Sequence, residues 1–305
     1  MKTRDLKISI VLALCLTVMA VVIPSTGQGV DCSVEPMFQA PNYDIVAVSV
    51  SAGSIDFGDP TGPANNPGHP LWGPAPNTAV ELGFKIVADV NNQLTGNDIL
   101  CDPSLYPPRI LNVQAIHDGT NILFKIVLAD TTQSLSIADV PLFHDALAIG
   151  VPYPTTLYGG NCVVDGGLTN PEILHMGTPC NGAEGLPCCP MHLMFWRADK
   201  AEIENVLANS PGTTIETFET DEPGMLNTYQ NWNAGAWTLI LGRVMVDPFN
   251  PVNAYPFQAS LPGKNMVDLV PGEARNIIFA NWNGAMQERN GYKFVSIFGN
   301  LVILP

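Results

Sequence analysis

The chain has 305 residues, with 13 basic and 28 acidic side chains giving a formal charge of −15, and it is 46% apolar but only 13% charged. That length and apolar content supply a sizeable core, in one large domain or two small ones. The acidic balance excludes a surface built for nucleic acid phosphates or anionic lipid headgroups and favours basic partners.

Residues 1–29 read as an export signal. Lys2, Arg4 and Lys7 precede the apolar run 8–23, and Pro24-Ser25-Thr26-Gly27 ends that run before a cut near Gly29. The run is shorter than the roughly 20 residues a membrane-spanning helix needs, so a retained anchor is the weaker alternative. Val30-Asp31 lacks the small residues of a lipoprotein site before Cys32. The expectation is export to the periplasm or an equivalent compartment, with no membrane span after cleavage. Loss of Lys2, Arg4 and Lys7 with Asp5 leaves the remainder, residues 30–305, more acidic still.

Cys32, Cys101, Cys162, Cys180, Cys188 and Cys189 follow the signal. An even set in an exported chain points to disulfides. Cys180, Cys188 and Cys189 are close in sequence, and with Cys162 they are expected to brace the loop carrying Met176 through at least one disulfide. No Cys-x-x-Cys pair occurs, which argues against an iron–sulfur or zinc site.

In chain order, residues 43–51 alternate and predict a strand. Residues 57–78, rich in Gly, Pro and Asn, predict a long ordered loop, and 79–90 a return to strand. Residues 110–116 and 121–128 flank His117-Asp118-Gly119-Thr120, and an Asp-Gly pair between β-rich runs predicts a hairpin. Residues 146–151 form a short apolar run, 152–190 a Cys-rich loop, and 191–196 another apolar run. Residues 200–209 (KAEIENVLAN) predict a short helix. Residues 236–246, 277–282 and 293–304 predict the last strands. Evenly spaced strands with turn signals, and no repeat or long amphipathic helix, predict an all-β sandwich. Catalytic signatures are missing: the histidines show no paired spacing, and neither a Gly-x-Ser-x-Gly nor a phosphate loop occurs.

Several landmarks recur in a set order. Leu71-Trp72 and Ala75-Pro76 precede Val80-Glu81-Leu82. His117-Asp118-Gly119-Thr120 leads to Asp130-Thr131-Thr132, and Asp145-Ala146-Leu147-Ala148 to Val151-Pro152. Met176-Gly177 precedes Trp196-Arg197-Ala198, and Gly235-Ala236-Trp237 precedes Arg243. Phe279-Ala280-Asn281-Trp282-Asn283-Gly284-Ala285 ends near Lys293. Over about residues 70–305 this ordered set resembles the haem-binding γ subunits of ethylbenzene dehydrogenase and its relatives. The Cys-rich insertion after Met176 is most similar to the nitrite oxidoreductase branch of that family.

The resemblance implies an immunoglobulin-like β-sandwich related to the DOMON fold, a single domain over residues 30–305, and one non-covalent haem b held between the sheets. The absence of Cys-x-x-Cys-His agrees with a haem that is not covalently attached. It also implies a complex with a molybdopterin catalytic subunit and an iron–sulfur subunit, delivering electrons to a soluble acceptor such as a cytochrome c. In the nitrite oxidoreductase branch the compartment is the anammoxosome lumen. Other members act on ethylbenzene, dimethyl sulfide, selenate or chlorate. The family's axial pair, a Met and a Lys, falls on Met176 and Lys293.

A thioether is a soft ligand that favours reduced iron, and an amine ligates only when deprotonated. Lys293 therefore needs a desolvated site, which the flanking run 294–298 can offer. The rivals are His175 for Met176, and Lys85, Lys125, Lys200 or Lys264 for Lys293. Arg243 is a candidate for a haem propionate or for a carboxylate. Two functions from other classes compete: a haem-free carbohydrate-binding module, and a structural subunit without a cofactor.

Overall fold

The computed structural model describes residues 43–87, 99–135, 143–152, 191–200, 203–208, 215–218, 226–246, 266–288 and 292–305. Fifteen strands lie among them: β1 (Asp44–Ser49), β2 (Thr78–Leu82), β3 (Phe84–Val87), β4 (Ile99–Leu100), β5 (Arg109–His117), β6 (Asn121–Ala129), β7 (Ala146–Pro152), β8 (Met191–Arg197), β9 (Glu204–Ala208), β10 (Ile215–Phe218), β11 (Leu226–Asn233), β12 (Ala236–Val244), β13 (Ala274–Trp282), β14 (Tyr292–Val295) and β15 (Gly299–Ile303). The expected all-β sandwich is what forms. Among the described residues no helix is long and apolar enough to cross a membrane.

The strands run in one curled ladder, β10-β9-β8-β7-β13-β15-β1-β5-β6-β12-β11. β13 makes the fold in that ladder. Its first half, 274–277, pairs with β15, and its second half, 278–282, pairs with β7. β14 also pairs with the second half of β13 and carries β3 and β4 beyond it. The result is two sheet layers, a front layer of β10-β9-β8-β7-β13-β14-β3-β4 and a back layer of β15-β1-β5-β6-β12-β11, with β2 alongside β5.

Period-two alternation assigns each side chain to a face. Leu147, Ile149, Met194, Trp196, Phe279 and Phe294 of the front layer meet Leu111, Val113, Phe124, Ile126, Trp237 and Leu239 of the back layer in the main core. Burying each such aliphatic or aromatic side chain contributes about 1.5–3 kcal/mol before entropy is charged against it. The outer face of the back layer is closed by the Gly- and Pro-rich loop, whose Ile55, Ala64, Trp72 and Ala75 pack on Ile116, Leu123 and Ile240. The outer face of the front layer forms a third cluster from Ile86, Ala146, Ala148, Leu193, Val206, Ile278, Ala280, Trp282 and Val295.

Three expectations needed correction. Residues 204–208 are a strand, not part of a helix. Pairing with β8 and burial of Ile203 and Val206 override the helix propensity of the segment. The expected strand 79–90 is two strands that break at Gly83 and belong to different layers. Likewise 293–304 divides into β14 in the front layer and β15 in the back. The hairpin at 117–121 forms as expected, with Gly119 at φ +84. Asp118 does more than turn the chain, because its carboxylate accepts from Thr120 N, Asn121 N and Ile55 N and so also latches the long loop. Cys101 is disulfide-bonded. The other cysteines and the 1–29 segment lie outside the described residues.

Candidate functional site

In β14 the alternation puts Phe294 into the main core and turns Lys293 and Val295 to the outer face of the front layer. Lys293 is 1% exposed, one of the largest fully buried side chains among the described residues. Among the described residues its Nζ has no hydrogen bond or ion pair, and its polar neighbour is the Trp282 ring, 5.4 Å away. Burial alone pushes this amine down to about 7. Near neutral pH it therefore holds an available lone pair, the state in which an amine binds a metal.

The rival lysines are engaged elsewhere. Lys85 faces inward and pairs with Glu288. Lys125 donates to Pro67 O and stacks over Trp72 on the far side of the back layer. Lys200 is 44% exposed and pairs with Glu204. Lys264, Met176 and His175 lie outside the described residues.

Around Lys293 the sheet offers a low, apolar floor. Gly150, Ala148 and Ala146 of β7 register against Ile278, Ala280 and Trp282 of β13. Taller side chains flank this strip: Leu193 and Phe195 on β8, Val295 and Lys293 on β14. Phe195 and Trp282 meet edge-on at 5.4 Å. The strip is covered: Ala146, Ala148, Ile278, Ala280, Trp282 and Lys293 are each 1–6% exposed.

The Trp-Asn-Gly-Ala motif builds the approach to β14. Trp282 closes the outer face, and the chain then enters a single 3-10 turn at Gly284–Met286, capped by the Asn283 side chain. A Cβ on Gly284 would lie 1.8 Å from Phe143 O, so only glycine lets the turn sit against that backbone. Two buried carboxylates hold the turn. Asp145 accepts from Gly284 N (2.9 Å), Ser134 N (2.9 Å) and Trp237 Nε1 (3.1 Å). Burial raises its pKa despite those donors. Glu288 accepts from Asn283 N (2.8 Å) and takes a two-pronged ion pair from Arg109, at 2.8 and 2.7 Å.

Other sequence candidates fall elsewhere. Arg243 is fully buried on the inner side of β12, where Nη2 donates to Val267 O, so it belongs to the layer interface and not to the Lys293 face. His192 and Met194 also face inward. His192 Nε2 meets Asn205 Oδ1 at 2.6 Å, and burial, with Arg243 nearby, keeps the ring well below its usual pKa. Trp196 and Trp237 are core anchors in edge contact at 5.0 Å. Sequence reasoning missed Asp145, Glu288 and Arg109 as holders of the motif. The available signal was two lone carboxylates beside apolar runs in a chain with few charges.

No family model matches the chain. A protein of Haloferax mediterranei, provisionally named a respiratory nitrate reductase heme subunit, is 27% identical over 186 residues, which is 61% of this chain. The chain spans about half, 53%, of that protein's length. Among solved structures, a provisionally described carbohydrate-binding protein from Bacteroides uniformis aligns over 85% of the chain at 10% identity and TM-score 0.41. A family 9 carbohydrate-binding module from Caldicellulosiruptor kristjanssonii, in complex with cellotriose, aligns over 86% at 8% identity and TM-score 0.34.

Proposed function

We propose that this chain is the haem-carrying electron-transfer subunit of a molybdopterin oxidoreductase complex, with one non-covalent haem b seated on the outer face of the front layer. The observation that carries the reading is Lys293, a fully buried amine with no polar partner among the described residues, over an apolar floor of small side chains. A buried lysine held only by hydrocarbon is costly, and such sites arise where the neutral amine has work to do. The relative named as a nitrate reductase heme subunit supports the same cofactor class.

Haem b supplies one-electron transfer at its iron. Lys293 would provide one axial ligand, and Met176 is proposed as the other. The strip of Gly150, Ala148, Ala146 and Ala280 would pack against the ring, with Trp282 and Phe195 beside it. On this reading the cofactor would lie outside the inter-sheet core rather than between the sheets as the resemblance implies, because Lys293 and Phe294 point to opposite faces. With both ligands from the protein, no iron position would be left for substrate, which suits electron transfer and not substrate chemistry.

The proposed donors are the iron–sulfur and molybdopterin subunits, and the proposed acceptor is a soluble basic protein such as a cytochrome c, steered by the −15 charge. For the catalytic partner we favour the nitrite–nitrate couple. The sequence resembles the nitrite oxidoreductase branch, and the Haloferax relative is named for a nitrate reductase. The proposed compartment is the periplasm or its equivalent. Pyridine haemochrome analysis of the purified chain or complex should give one haem b per subunit, fully released by acid–acetone. Colour that stays with the polypeptide, or a colourless protein after haem reconstitution, would refute the reading.

A further inference from the structure

Lysine is a poor ligand to place. Its four-carbon stem carries a point charge with freely rotating donors, so the position of Nζ depends on how firmly the backbone is held. β14 offers little on its own. It is four residues long, Lys293 is its second residue, its ladder to β13 has two pairs, Ala280–Val295 and Asn281–Phe294, and its other neighbour is β3, an equally short strand that pairs with it along all four residues. Short strands open locally from their ends.

Arg109, the first residue of β5 in the other layer, compensates for this. Its guanidinium grips Glu288 through two hydrogen bonds and donates from Nη1 to Asn281 Oδ1 on β13. The same group lies 4.2 Å from the centroid of the Phe294 ring. Glu288 precedes Lys293 in sequence and Phe294 follows it. Glu288 is 2% exposed, so the ion pair is shielded from solvent and its geometry is stiff.

We infer that Arg109 is the positioning residue of the Lys293 amine: it holds Glu288 and Phe294, on either side of Lys293 in sequence, and so fixes from the inner face the amine that projects from the outer one. The inference rests on the haem reading of Lys293. Arginine is needed because one planar group must fork onto a carboxylate and stack on a ring together, which an ammonium cannot do. Arg109 does not touch the cofactor face, so its effect reaches the iron only through the placement of Lys293.

The test compares the full chain with Arg109→Lys and Glu288→Gln. Glu288→Gln keeps an oxygen for Asn283 N and covers the case in which Arg109→Lys fails to fold. In the haem-loaded, reduced proteins, carbon monoxide binding reports how often an axial ligand is off. In the haem-free proteins, acetylation of Lys293 by acetic anhydride, mapped by mass spectrometry with Lys200 as the exposed standard, reports how firmly the amine is held. Both readouts should rise about tenfold in each variant, the factor expected for losing one well-made charged hydrogen bond. Wild-type levels of both in both variants would overturn the role of Arg109. A wild-type chain that takes up no haem, or binds carbon monoxide freely, would instead overturn the haem reading. The acetylation arm would then still decide whether Arg109 fixes Lys293.

Discussion

Lys293→Leu should stabilise the haem-free chain while abolishing its proposed work. The amine falls from 10.5 to about 7 on burial. At about 1.4 kcal/mol per pKa unit, holding it charged in the fold costs on the order of 5 kcal/mol as an upper bound. Leucine removes that cost but leaves a small space worth about 1 kcal/mol. The variant should therefore be more stable by about 3–4 kcal/mol near pH 6, where the wild-type amine is protonated in both states. Between pH about 7 and 10.5 the unfolded chain keeps a proton that the folded chain has lost. Wild-type stability then rises with pH across that window, and the gap closes. Urea denaturation of both haem-free proteins at about pH 6, 8 and 10 gives the answer. A gap that stays constant with pH, or a variant less stable at pH 6, would refute the argument that Lys293 is an uncompensated buried amine.

Gly284→Ala should cost at least about 2–3 kcal/mol and lower haem uptake, because the new Cβ collides with Phe143 O and moves the turn ahead of β14; thermal unfolding with haem titration checks both. Ala148→Phe, on the floor beside Ala280, should cut haem uptake by about tenfold or more while the main core stays intact by near-ultraviolet circular dichroism, since Ala148 belongs to the outer cluster. Arg243→Leu should lower stability by about 2–4 kcal/mol yet leave the haem spectrum of the folded fraction unchanged, as Arg243 lies on the opposite side of the layer; a shifted spectrum would contradict the assignment of faces.

The sandwich was legible because its strongest signals are local. Alternation in 110–116 and 236–246 and the Asp118-Gly119 turn specify strands and a hairpin without reference to the rest of the chain. The error at 200–209 came from the same locality: helix-favouring residues there are recruited as a strand by the edge of the preceding strand β8, and pairing of that kind leaves no mark in the local helix propensity. The splits at Gly83 and at 296–298 were hidden because both halves of each run are apolar; what differs is the layer each half joins. At the site, Lys293 was singled out by the family resemblance, as the Lys after the Trp282 motif, with an apolar flank that suits a neutral amine. Nothing in the sequence showed that the amine lies on the outer face. That follows from β13 contributing to both layers, and from β14 hydrogen-bonding to its second half. Arg109 and Glu288 were invisible as a pair, because 179 residues separate them and only the closed fold brings them together.

The most direct measurement is near-infrared magnetic circular dichroism of the oxidised, haem-loaded chain, taken with Lys293→Ala and Met176→Ala beside it. The account predicts a low-spin amine–thioether signature in the wild type, lost in Lys293→Ala through loss of the amine, and in Met176→Ala through loss of the thioether with a fall in potential. A bis-histidine spectrum in the wild type, or native spectrum and potential in both variants, would contradict it.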